Sequence, residues 1–282
     1  MGTSRPLRGP IGPNWERARQ AGRRWARAIE AAGGPGTSTE TVPPETTPAP
    51  ADDVDPFGTA CRRALAEDLA DDPDRYGLRP AAVAAGQRLV DALAALMRGE
   101  TLPPPTGPVP DDPVGALRAG LVEQVAGDGT LIADSVVRRA AVRCAERLTE
   151  PGSPITAALA DGDVRPGSRS VTGELFCVIY RMFFGEVVGE FLKTAIAAKL
   201  QVMVPVLPVL PLGIGGKVAE WAAGKAVELI PNPCEEKERP DNAGLSLPAV
   251  ATKLLDVAFR RAAGLESPDA GIGPGIVGLE AV

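Results

Sequence analysis

The chain has 282 residues, of which 44% are hydrophobic and 4% aromatic, and its formal net charge is −6 at neutral pH. The excess of acidic residues argues against a protein that coats nucleic acid over its whole surface. Because the sequence contains no histidine, it excludes Ser-His-Asp and Cys-His catalytic arrangements and every His-ligated metal site.

The first predicted element is a basic amphipathic helix within residues 1–32. Its apolar face carries Trp15, Ala18, Gly22, Trp25 and Ile29, and its other face carries Arg17, Arg19, Arg23, Arg24 and Arg27. Such a helix can lie on an anionic membrane, dock on an acidic partner, or pack against its own chain, and the sequence leaves all three open. The predicted binding residues are Trp15 and Trp25 as apolar anchors, with Ile29 beside them, and Arg19, Arg23 and Arg27 as charge contacts.

Residues 33–56 form a linker rich in proline and threonine, with five acidic residues and no basic one. This composition predicts a disordered, fairly extended segment. A chain of about 24 such residues spans roughly 25–30 Å, so we expect the N-terminal helix to be tethered rather than fixed.

A helical domain is predicted over residues 57–150. Apolar periodicity indicates helices near 57–70, 80–98, 113–126 and 131–149, separated by segments rich in proline, glycine and aspartate. No segment alternates with period two, so the sequence predicts an all-α fold, built as one or more helical bundles.

A linker at 151–170 leads to an apolar helical unit at 171–263, and a disordered tail at 264–282 follows. The unit begins with a long apolar helix and continues into the uncharged stretch "VPVLPVLPLGIGG". The helix before this stretch and the helix after it form a central apolar pair.

The stretch at 204–217 resembles a phosphate-binding loop but lacks two required residues, because Pro211 and Val218 replace the glycine and the hydroxyl residue. Prolines at every third position also interrupt a membrane-spanning helix. The favoured interpretation is a prolyl corner that covers the core. The alternative is a bundle that inserts a hydrophobic hairpin, residues 174–230, into membranes when triggered.

Small and apolar residues in this unit are candidates for a membrane or oligomer contact. Gly185 and Gly189 are spaced for close approach of two helices, and we place Val204, Leu207 and Leu210 in the same candidate surface. Packing within the monomer is the other explanation, and a homo-oligomer remains compatible with the pattern.

Two glutamates, Glu186 and Glu190, lie one turn apart on the long apolar helix. Paired carboxylates can share a proton or bind a metal ion, which would suit an enzyme of unknown substrate. Without histidine to complete a ligand set, we favour ion pairs with Arg181 or Lys193, or a solvated polar stripe. The sequence therefore predicts no catalytic residue, no metal and no cofactor.

The four cysteines, Cys61, Cys144, Cys177 and Cys234, have no CxxC or other metal-ligand spacing. They are too few for a disulfide scaffold, so free thiols in a reducing cytoplasm are expected. No apolar segment follows the N-terminal arginines, which argues against a secretion signal.

We therefore expect a non-enzymatic α-helical adaptor or assembly protein. It would dock on an anionic membrane or an acidic protein partner through its N-terminal Trp/Arg helix, with no nucleic acid involved. The expected location is the cytoplasm, including the periphery of the membrane. The membrane-inserting bundle and the carboxylate enzyme are the alternatives.

Overall fold

A computed structural model describes residues 12–31, 55–107, 111–126, 132–152, 171–200 and 214–267. All regular structure in these ranges is helical and none is strand, so the fold is all-α, as predicted. The helices are α1 (Pro13–Ala31), α2 (Asp55–Asp71), α3 (Leu78–Met97), α4 (Pro113–Ala126), α5 (Ile132–Leu148), α6 (Gly173–Leu200), α7 (Ile214–Leu229), α8 (Pro233–Lys237) and α9 (Leu247–Ala262).

Several predictions fall on segments outside these ranges. Residues 32–54 hold most of the predicted N-terminal linker, and 153–170 hold most of the second one. The prolyl stretch at 201–213, with the candidate contact residues Val204, Leu207 and Leu210, also lies outside the described residues.

The long helix α6 is the centre of the fold. It has 28 residues, and apolar side chains surround it on nearly every side, a pattern that requires burial. Helices α3, α5, α7 and α9 pack around it. Its fully buried side chains are Phe176, Ile179, Tyr180, Phe183, Phe184, Val187, Val188, Phe191 and Leu192.

One hydrophobic core contains buried residues from α1 through the end of α9. Residues on both sides of the predicted boundary at 151–170 belong to it, including Leu89 of α3 and Phe184 of α6. Alanines supply many of the other core positions, as expected for a chain with so few aromatic residues.

A tight turn between α2 and α3 fixes the angle between these helices. Tyr76 and Gly77 have φ values of 71° and 67°, in the left-handed region that suits glycine and is uncommon for a bulky residue. Two contacts hold Tyr76 there. Its hydroxyl donates to Asp68 at 3.0 Å, and its ring centroid lies 5.4 Å from that of Phe191.

The structure corrects the expectation of four free thiols. Cys177 on α6 and Cys234 on α8 form a disulfide, whereas Cys61 and Cys144 are free and buried. The pairing could not be deduced from spacing, because 57 residues separate the two positions. It removes the argument from free thiols on which the cytoplasmic prediction partly depended.

Candidate functional site

The inner face of α1 packs against α2. The indole Nε1 of Trp15 donates to the Asp68 carboxylate at 2.9 Å, and the Trp25 ring stacks on Phe57 with centroids 6.3 Å apart. These two contacts show that the helices are antiparallel, since the start of α1 meets the end of α2 and the later part of α1 meets the start of α2. Gly22 allows the close approach, because a Cβ there would lie 3.0 Å from the Phe57 ring.

This packing corrects the role predicted for the two tryptophans. They were expected to serve as exposed apolar anchors for a membrane or partner, but Trp15 is 2% exposed and Trp25 is 8% exposed. An amphipathic helix buries its apolar face wherever an apolar surface is available, and α2 supplies that surface. The side chain of Ile29 lies outside the described residues.

The outer face of α1 carries the arginines in two groups. The first group is neutralised locally. Arg19 pairs with Glu16 at 2.5 Å on the same helix, and Arg17 pairs with Glu67 of α2 at 3.0 Å. Arg19 was predicted to contact a partner, but in the structure its charge is already matched.

The second group is Arg23, Arg24 and Arg27, which we call the arginine face. All three side chains are exposed. None of them has an ion pair or hydrogen bond to another described residue. Arg27 lies four residues after Arg23 and three after Arg24, the spacings at which side chains are neighbours on a helix surface. Two of the three were predicted binding residues, and Arg24 extends the group.

The glycine pair in α6 makes an intramolecular contact. A Cβ at Gly185 would lie 2.8 Å from the carbonyl oxygen of Ala223, and one at Gly189 would lie 2.6 Å from that of Ala219. Both carbonyl groups belong to α7 of the same chain. The pair therefore sets how closely α6 and α7 pack. It lies in the core and is not exposed for a membrane or oligomer contact.

The two glutamates of α6 are held by arginines of α5. Arg139 lies 3.0 Å from Glu190, and Arg147 lies 3.0 Å from Glu186. Lys193, a predicted partner, lies 3.4 Å from Glu190. The other predicted partner, Arg181, instead donates to the backbone carbonyl of Val227 at 2.6 Å.

Burial raises the pKa of Glu186, while the positive charge of Arg147 and Arg143 acts to lower it. Both glutamates are buried, and their guanidinium partners are roughly half exposed. These ion pairs hold α5 against α6.

Two further features of the described residues bear on the alternatives. No group of three or more Cys, Asp or Glu residues in this part of the chain is placed to hold a metal ion. None of the helices in the described ranges combines the length and the apolar character needed to cross a membrane.

Among the residues that the structure describes, the arginine face is the exposed group of charges on α1 without a carboxylate partner, and it is the candidate site. Comparison with known proteins adds no assignment to it. The chain matches no protein-family model, no curated protein and no solved structure.

Proposed function

We propose that the protein is a non-enzymatic α-helical adaptor or assembly protein that docks on an acidic protein partner through the arginine face. The observation that carries the proposal is the contrast between the two groups of arginines on α1. Arg17 and Arg19 have carboxylate partners, whereas Arg23, Arg24 and Arg27 are exposed without one among the described residues. Guanidinium groups bind carboxylates with two parallel hydrogen bonds, which gives geometric specificity.

An acidic protein is favoured over an anionic membrane because of where the tryptophans lie. A helix that binds in the membrane interface inserts its apolar face between the lipids. Here Trp15 and Trp25 are buried on α2, so α1 offers charge without insertion. The partner would therefore supply a cluster of Asp or Glu side chains on a folded surface.

The rigidity of α1 supports the same proposal. The Trp15 hydrogen bond and the Trp25 stacking hold the helix at both ends of its contact with α2. The arginine face is therefore presented in one orientation, which lowers the entropy lost when a partner binds.

The test uses the charge-reversed variant R23E/R24E/R27E and a matched control, R98E/R239E/R260E. The control reverses three exposed arginines on other parts of the surface, each of which, unlike the arginine face, has a carboxylate partner. Binding of polyglutamate, as a model acidic partner, would be measured by calorimetry at low and high salt. We expect the wild type and the control to bind in a salt-sensitive manner and the α1 variant to lose about tenfold or more in affinity.

Two outcomes would contradict the proposal. Equal loss of polyglutamate binding in the two variants would show that only net charge matters. Co-sedimentation with phosphatidylserine vesicles, lost in the α1 variant, in the absence of any polyglutamate binding would assign the arginine face to a membrane surface instead.

A further inference from the structure

A surface groove of about 510 Å³ lies where α6, α8 and the start of α9 meet. The Cys177–Cys234 disulfide forms part of its wall, beside the apolar side chains of Val178 and Leu247. Val178 is 55% exposed, the most exposed of the large hydrophobic residues in the described part of the chain. The groove thus brings an accessible apolar wall and a reducible bond together.

Both cysteines line the groove, but they differ in exposure. Cys177 on α6 is 3% exposed and belongs to the buried core, whereas Cys234 on the short helix α8 is only partly buried. A thiolate attacks a disulfide at one sulfur and displaces the other. Approach from the groove therefore reaches Cys234, and Cys177 is the sulfur displaced.

Charged side chains of both signs line the groove that contains the disulfide. Glu174 and Glu238 are acidic, and Arg181 and Lys237 are basic, and all four line the same groove. Arg181 is fixed by its hydrogen bond to the Val227 carbonyl, whereas Lys237 is exposed at the rim. This arrangement matches a small thiol that itself carries both an ammonium and a carboxylate.

We propose that the disulfide is a site of reversible modification, at which a small zwitterionic thiol enters the groove and forms a mixed disulfide with Cys234. The thiolate of the small molecule bonds to Sγ of Cys234, and the Cys177–Cys234 bond breaks. Cys177 leaves as a thiolate and takes up a proton. A second thiol molecule then attacks the mixed disulfide, releases Cys234 as a thiol and leaves as the oxidised dimer, so that two thiols are oxidised for each disulfide reduced.

The remaining cysteines provide an internal reference. Cys61 and Cys144 are fully buried, and burial raises the pKa of both thiols. Because the thiolate is the reactive form, neither is expected to react while the protein is folded. The native chain therefore contains one reactive position and two silent ones.

The position of attack can be tested with reduced glutathione and the native full chain. After acid quenching and removal of the small thiol, the protein is unfolded in urea at neutral pH, free thiols are blocked with a maleimide, and peptides are mapped by mass spectrometry. We expect the glutathione adduct on Cys234 alone, and maleimide on Cys177, Cys61 and Cys144. An adduct on Cys177, or a disulfide that resists glutathione until the protein unfolds, would overturn the proposal.

Single variants keep the test valid if the mixed disulfide is resolved too quickly to trap. In Cys177→Ser the thiol of Cys234 remains, and oxidised glutathione should form a stable adduct there. In Cys234→Ser the buried Cys177 should stay unmodified over the same time. Equal reaction of the two variants would contradict the assigned asymmetry.

The charge of the groove is tested by Lys237→Gln, with Lys225→Gln as the matched control away from the groove. The rate with glutathione, relative to uncharged mercaptoethanol, should fall about two- to fivefold in Lys237→Gln and stay unchanged in the control. The same ratio in both variants would remove the zwitterionic thiol as the favoured reactant.

Discussion

Asp68 accepts hydrogen bonds from both α1 and the turn before α3. One of its oxygens, Oδ2, receives hydrogen bonds from both Trp15 and Tyr76, and the Arg75 guanidinium lies 3.6 Å from the other. A single carboxylate thus stabilises both the position of α1 and the strained turn before α3. Its loss would leave the Trp15 N–H buried without an acceptor, which costs free energy.

We expect Asp68→Ala to lower the free energy of unfolding by about 2–3 kcal/mol. Urea denaturation followed by far-ultraviolet circular dichroism would measure the change. Asp71→Ala on the same helix is the control, since Asp71 is exposed, and its effect should stay within about 0.5 kcal/mol. Equal losses in the two variants would mean that the hydrogen bonds to Asp68 contribute little.

A second prediction at the residue scale concerns the dependence of stability on pH. Burial, with the nearby Asp68 carboxylate, raises the pKa of Tyr76 to about 12, and burial also raises that of Tyr180. An unfolded tyrosine loses its proton near pH 10. The stability that this difference contributes is therefore complete below pH 10 and is lost as the pH rises toward 12.

The absorbance of phenolate at 295 nm measures this directly. The chain has only two tyrosines, so the folded protein should show almost no phenolate near pH 10, and the urea-unfolded protein should show about half of the full signal. Asp68→Asn should shift the folded titration to lower pH. A folded protein that titrates near pH 10 would contradict the burial of Tyr76.

At the residue scale, the sequence predicts which residues share a face but not what covers that face. Periodicity correctly grouped Trp15, Ala18 and Trp25. The acceptor Asp68 is 53 positions from Trp15, and no local rule connects them. For the same reason the sequence pattern could not decide whether this face binds a membrane, binds a partner or packs within the chain. The tertiary structure shows that α2 covers the two indoles.

Among the elements, α6 and α7 depend on small residues at their contact. Replacing Gly189 with alanine would place a methyl group 2.6 Å from the Ala219 carbonyl oxygen, closer than van der Waals contact allows. The helices must then move apart, or the side chains around them must repack.

We expect Gly189→Ala to destabilise the protein by about 1–3 kcal/mol. Gly224→Ala is the matched control within α7, since nothing lies within 4 Å of its added Cβ. The control should stabilise by up to about 1 kcal/mol, because alanine favours a helix more than glycine does. Thermal or urea unfolding would compare them, and a change of the same sign in both would contradict the close-packing argument.

The existence and approximate bounds of the long helices could be predicted, because each is a long run of helix-compatible residues bounded by segments rich in proline and glycine. The partners of Glu186 and Glu190 could not. Lys193 is three residues from Glu190 and was therefore a predictable pair, whereas Arg139 lies 51 positions away on α5. Contacts between helices depend on the topology, which a single sequence does not specify.

For the whole molecule, the disulfide closes a loop between α6 and α8. With a separation of 57 residues, loop-closure entropy predicts that Cys177→Ser/Cys234→Ser lowers the free energy of unfolding by about 4 kcal/mol. Urea titrations with and without a reductant would measure it. The reductant should destabilise the wild type and leave the double variant unchanged, and a loss in the double variant alone would indicate altered packing instead.

The all-α class of the molecule could be predicted, because the apolar residues recur at helical spacing and no segment alternates with period two. The prediction of four free thiols was wrong for Cys177 and Cys234, because spacing carries no information on a bond that joins distant helices. The sequence predicted arginines on the outer face of α1. Burial and local ion pairs, which it does not show, decide which of them are available to a partner.

All three tryptophans of the chain lie around one helix. Trp15 and Trp25 pack on α2, and the indole of Trp221 lies against Gly58 and donates to Asp55 at its start. The intrinsic fluorescence of the protein is therefore a probe of α2 and its neighbours and does not observe the centre of α6. If the fluorescence emission changes before the helical ellipticity is lost, the helices around α2 separate from it before the core unfolds.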